Sequence, residues 1–166
     1  MSQESENPQP ADAEQQAAPP IVINGQYIKD LSFEAPAAPG VFAELQQGAP
    51  EIAINVDVNA QPLQNNNFEV ALHIRAECKT GETTAFLLEV AYGGLFTLTV
   101  PQEHLQPVLL IECPRLLFPF VRHLMAVVTR EGGFPPLLLG PVDFVAMYQA
   151  NLKSEAEASG QSPTEG

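Results

Sequence analysis

The chain of 166 residues has no tryptophan, only 2 cysteines, and 7 lysines and arginines against 20 aspartates and glutamates. Each shortage excludes something. Two thiols, Cys78 and Cys113, are too few for a disulfide framework, so a reducing compartment, the cytoplasm, is the expected setting. A net charge of -13 repels phosphate backbones and argues against nucleic acid as a partner. No apolar run approaches the roughly 20 residues that span a bilayer. Residues 1–20 carry acids where a secretory leader has a basic segment, so direct membrane insertion is not expected.

Motifs for chemistry are also missing. His73, His104 and His123 are scattered, with no H-E-x-x-H, and the cysteines form no C-x-x-C. There is no G-x-S-x-G, no phosphate-cradling G-x-x-x-x-G-K and no dinucleotide fingerprint. Cys113, before Pro114, reads as an inert thiol in preference to a nucleophile. The chain does not read as an enzyme, and neither a metal nor a cofactor is expected.

What is present is pattern. Ile52, Ile54, Val56 and Val58 alternate with polar residues, as do Phe68, Val70, Leu72 and Ile74, then Phe86, Leu88, Val90 and Tyr92. Tyr27, Leu31 and Phe33 alternate against Ile28, Asp30, Ser32 and Glu34. Lys79-Thr80-Gly81-Glu82 reads as a hairpin turn, and Leu95–Val100 as a further short strand after a turn or bulge at Gly93-Gly94. The spacing then becomes helical: Leu116, Leu117, Phe120, Val121, Leu124, Val127 and Val128, with Pro119 either kinking the helix or marking a late start. Gly132 and Gly133 end it, and Asp143 is the expected N-cap of a final helix, Phe144 to about Lys153. Strands first and helices later predict an α+β fold, an antiparallel sheet of four strands and one more short one, with helices packed on one face. The folded domain is expected over 21–153. Residues 1–20 and 154–166, poor in groups to bury, read as disordered tails.

Three features stand out. Gly132-Gly133-Phe134-Pro135-Pro136-Leu137-Leu138-Leu139-Gly140-Pro141-Val142 is an apolar connection where polar loops are the rule. Either it is covered by protein, or other apolar chains touch it. The long helix is apolar over more than one stripe, and each buried Leu, Val or Phe is worth roughly 1.5–3 kcal/mol, so a second subunit is the expected cover. Asp30 and Glu34 share one side of their strand, and Leu87 and Glu89 lie opposite Phe86 and Leu88. That face is either an acidic plate with an apolar spot or simply solvated.

Four segments carry a resemblance: Tyr27 to Pro36, Thr84 to Val90, Cys113 to Phe120, and Gly133 to Leu139 with Pro141 to Phe144. In this order, over roughly residues 24–150, the chain resembles the SecB family of bacterial protein-export chaperones. The resemblance implies a four-stranded antiparallel sheet with two helices, assembled as a homotetramer, a dimer of dimers whose long helices meet at the centre; Leu117, Phe120, Val121, Leu124 and Val128 of the long apolar helix are expected at the interfaces. It also implies ATP-independent binding of unfolded precursor proteins and their delivery to the SecA motor. Client chains would meet Phe134, Leu137, Leu138 and Leu139. A basic, zinc-bearing segment of SecA would meet Asp30, Glu34, Leu87 and Glu89, the zinc belonging to that partner. The alternative is a SecB-like chaperone of a toxin–antitoxin module or another interaction protein.

Overall fold

Alternation makes four strands, and the computed structural model, which describes residues 19–160, shows how they pair. They are β1 (Ile21–Glu34), β2 (Glu51–Pro62), β3 (Asn67–Thr80) and β4 (Thr83–Leu98), in one antiparallel sheet of order β1-β4-β3-β2. A short helix, α1 (Val41–Glu44), sits in the connection that carries the chain from one sheet edge to the other. The β3–β4 hairpin turns where expected, with Lys79 opposite Thr84, Thr80 opposite Thr83, and Gly81 at φ +58°.

The expected fifth strand does not exist. β4 runs without a break through Gly93 and Gly94, which are needed for space and not for a turn. A Cβ on Gly93 would lie 2.4 Å from the Tyr27 ring, and one on Gly94 would meet Phe96 at 2.5 Å and Leu117 at 2.9 Å. The two glycines therefore admit a ring on one face and the long helix on the other.

β1 also departs from strict alternation. Its register against β4 slips between Ile28 and Asp30, so Lys29 is an inserted residue. This bulge exchanges the faces of the residues before it, as far as a second slip between Ile23 and Gly25 that restores the phase. Tyr27, opposite Gly93, consequently lies on the face away from Leu31 and Phe33, against the simple reading of the sequence.

After β4 the chain enters a helical run that begins earlier than periodicity predicts. α2 (Gln102–Pro107) passes through a widened π turn (Val108–Glu112) into α3 (Cys113–Glu131). Pro107 and Pro114 flank the π turn, and such turns accommodate irregularity inside helices. Pro119 is carried inside α3. The side of α3 facing the sheet is a narrow stripe at i, i+4 spacing: Cys113, Leu117, Val121, Met125 and Thr129, all buried. They meet Val70, Leu72, Ile74, Leu88, Val90 and Phe96 from β3 and β4 in the main core.

α4 (Phe144–Gly160) starts as predicted, the Asp143 carboxylate accepting the Ala146 N–H at 2.9 Å. It continues through residues 154–160, assigned above to an unordered tail. Those residues are exposed, and Glu and Ala favour helix enough to extend one already begun. The rest of that expected tail, and the first 18 residues of the other, lie outside the described residues.

The apolar connection is held by its backbone. The Gly133 N–H donates to the Arg130 carbonyl and the Phe134 N–H to the Thr129 carbonyl, with Gly133 at φ +89°. This double return closes the helix end where a left-handed residue is required. Beyond it, Pro135, Pro136 and Pro141 have no N–H to satisfy. The Thr129 hydroxyl accepts the Leu137 N–H at 2.9 Å while donating to the Met125 carbonyl at 2.8 Å. Arg122 Nε donates to the Leu139 carbonyl at 2.8 Å. Through these bonds an irregular, greasy segment is tied back to α3.

Thr129→Val keeps the shape and removes the hydroxyl. The Leu137 N–H then loses its partner, and a loss of about 1–3 kcal/mol is expected. Urea unfolding at fixed protein concentration checks this. An unchanged midpoint would show that the bond does not hold the linker.

Candidate functional site

Three surfaces follow from this packing. The first is an apolar trough where the linker meets the β2 edge. Its floor is a cluster of rings: Phe134 stands edge-on to Phe86 with centroids 5.0 Å apart, 5.1 Å from Phe42 and 6.2 Å from Phe33. Its walls include Ile52, Pro135, Pro136, Leu137 and Leu138, around a volume of about 180 Å³. Ile52 and Ile54 point to the core side but lie beyond the reach of α3, and Ile52 is 43% exposed. The four linker residues singled out from sequence divide. Phe134, at 5% exposed, and Leu139 are buried, so they build the floor and the anchor. Leu137 is half-buried, and Leu138, 66% exposed, stands in water at the rim. Ile52 was missed because its pattern is that of a covered strand, and only topology puts β2 at an edge.

The second surface is the sheet face that no helix among the described residues covers. Register arranges it in rows across the strands: Asp30, Ala91, His73, Asp57; then Ser32, Glu89, Arg75, Asn55; then Glu34, Leu87, Glu77, Ala53. Asp30, Glu34, Leu87 and Glu89 are brought together, as the sequence predicts. The bulge at Lys29 adds Tyr27 to the same side. Its hydroxyl donates to Glu69 at 2.7 Å, and Lys29 binds the other oxygen of that carboxylate. These bonds, from Lys29 first and then Tyr27, hold Glu69 below the usual carboxylate range. Tyr27 is pushed up to about 12, mainly by desolvation and then by its bond to Glu69. From sequence Tyr27 was assigned to the other face, and Arg75, on the polar side of its strand, was not among the residues expected at this site. The bulge leaves no mark in composition, and cross-strand pairing depends on register.

The third surface is the outward side of α3. Phe120 is 49% exposed and stacks over Tyr92 with centroids 6.1 Å apart, and Leu116 and Ile28 are exposed beside it. Leu124 completes a hollow between α3 and β1. Of the five residues expected between subunits, Leu117 and Val121 are wholly buried against their own sheet and have no surface to offer. The helical phase explains the difference: at 100° per residue, Phe120 and Leu124 form the stripe next to Leu117 and Val121. Val128 is half-buried.

Cys78 and Cys113 are buried and free. Burial raises both thiols, Cys113 to about 12 with Glu112 adding to the shift, which is unsuited to a nucleophile. Among the described residues, no group of three or more His, Cys, Asp or Glu is arranged to hold a metal ion. No helix among them is long and apolar enough to cross a membrane.

The family model described as preprotein translocase subunit SecB matches residues 14–155. The chain is 52% identical over 143 residues to the protein-export protein SecB of Paramagnetospirillum magneticum, covering 86% of this chain and 92% of that one. It is 52% identical over 151 residues to the Bradyrhizobium protein of the same name, covering 89% and 93%. Among solved structures, a Mycobacterium tuberculosis SecB-like chaperone, in complex with a ChAD peptide from an antitoxin, superposes with a TM-score of 0.58. That similarity covers 74% of this chain and 91% of the other at 18% identity, and so concerns the fold. With a matching sheet and helix layer, a family match over most of its length and relatives identical at half their positions, the chain belongs to the SecB family of protein-export chaperones.

Proposed function

We propose that this protein is a nucleotide-independent cytoplasmic holdase, a homotetramer that keeps unfolded precursors competent for translocation and passes them to SecA. The observation that carries this reading is the trough beside Leu138, apolar and open to water. Extended apolar segments fit such a surface without a fixed shape, and weak contacts repeated around an oligomer multiply into useful affinity. The negative charge keeps these surfaces soluble and attracts clients rich in Lys and Arg. The uncovered face, with Asp30, Glu34, Leu87 and Glu89 in adjacent rows, suits a basic partner that also carries an apolar group, and the SecA tail is assigned there. The outward side of α3 supplies the contact between subunits. A toxin–antitoxin role is not favoured, since the antitoxin-bound homologue shares the fold at only 18% identity.

The direct test is light scattering of a denatured precursor diluted into buffer with stoichiometric protein and no nucleotide. Aggregation should be suppressed, and an unchanged trace counts against a holdase. Leu138→Asp places a charge at the trough rim; client affinity should fall about tenfold, the equivalent of one lost apolar anchor, with the oligomer intact. Equal affinity would move the client site elsewhere. Charge reversal by Asp30→Lys or Glu34→Lys should weaken SecA association at low salt and spare client holding. Loss of both functions together would indicate misfolding or a wrong face. By mass in solution the protein should approach about four chains, and Phe120→Asp should lower that number. A wild-type monomer would leave the outward side of α3 without its assigned role.

A further inference from the structure

The acidic face carries its own cation. Arg75 lies directly across from Glu89, and its Nε donates to Glu89 Oε1 at 2.9 Å. Its Nη2 lies 3.8 Å from Glu77 Oε2, while Lys79 approaches the other oxygen of Glu77 at 3.4 Å. Among the described residues, Asp30 and Glu34 make no ion pair. Of the three acids assigned to the partner site, two are open and one is already neutralised from within. Both members of the Arg75–Glu89 pair keep nearly half their surface in water, at 45% and 47%. A pair so exposed has little intrinsic worth, so it adds little to the fold and is readily broken.

We propose that Arg75 is an internal competitor at this face: a basic side chain of the docking partner must take its place on Glu89, and Arg75 thereby holds the affinity of the surface down. The inference rests on the reading of this face as the SecA dock. The physics is an exchange. Arg75 holds Oε1 of Glu89, so an incoming cation commands the whole carboxylate only as Arg75 gives up its contact, and much of the gain cancels. The positive charge of Arg75 also weakens the field that Asp30 and Glu34 present to an approaching basic chain. A delivery chaperone has to let go, and a resident cation that reclaims its carboxylate favours release over retention.

The test titrates the full chain calorimetrically with the zinc-loaded carboxyl-terminal peptide of SecA, at low and high salt. Arg75→Gln should bind about fivefold tighter at low salt, a gain that shrinks as salt screens the face. Placed on a Glu89→Gln background, the same change should lose most of its benefit. Unchanged or weaker binding by Arg75→Gln, with Glu89→Gln still weakening the complex, overturns the competitor role and leaves the docking face standing. Insensitivity to Glu89→Gln, Asp30→Asn and Glu34→Gln alike removes the docking face and this proposal with it. Client holding by Arg75→Gln, read by light scattering, should match the wild type, which separates the effect from a folding defect.

Discussion

The approach of α3 to the sheet at Gly94 governs the rest of the molecule. With no Cβ there, Leu117 and Phe96 fill the space over the central strand, and the helix settles on β3 and β4. One helix layer seated at that depth covers the middle of one face. It does not reach the outer half of β2, where Ile52 and Ile54 stay exposed, and it leaves the opposite face bare. Trough, acidic plate and outward helix side are three results of one seating. Each is a surface that no further element among the described residues covers.

Exposed apolar surface is ordinarily a hazard, and here it is separated by chemistry from the surface assigned to the export motor. The trough is made of rings, leucine and proline, with its backbone tied inward through Thr129 and Arg122. The opposite face is made of carboxylates in register, partly neutralised by Lys29, Arg75 and Lys79. The two lie on opposite sides of the sheet, so in the proposed reading a chain seated in the trough would leave the plate free. That geometry suits a protein that holds one polypeptide while presenting itself to another.

Much of this was legible in the sequence, and what was missed has definite causes. Period two found four strands, and the apolar excess of α3 flagged an uncovered side. Alternation paired Asp30 with Glu34 and Leu87 with Glu89 on their own strands, with no bulge between Asp30 and Glu34 to undo it, and the resemblance joined the two pairs. At Tyr27 alternation failed, since one inserted residue reverses the phase and nothing in composition marks it. It failed at Gly93-Gly94, where turn chemistry and close packing call for the same residue. The early start of the helix was hidden by Pro107, which reads as a breaker until a π turn absorbs it. Leu117 and Val121 were assigned outward because periodicity gives a helix its stripes but not which stripe meets the sheet.

The prolines of the linker have one more effect. A strand-like segment beside bound, aggregation-prone chains is normally a template, since each free N–H can start another rung of a growing ladder. Pro135, Pro136 and Pro141 withhold three of those donors, and the Thr129 hydroxyl occupies a fourth at Leu137. In the client role proposed above, the linker would meet side chains while withholding these four donors from ladder growth.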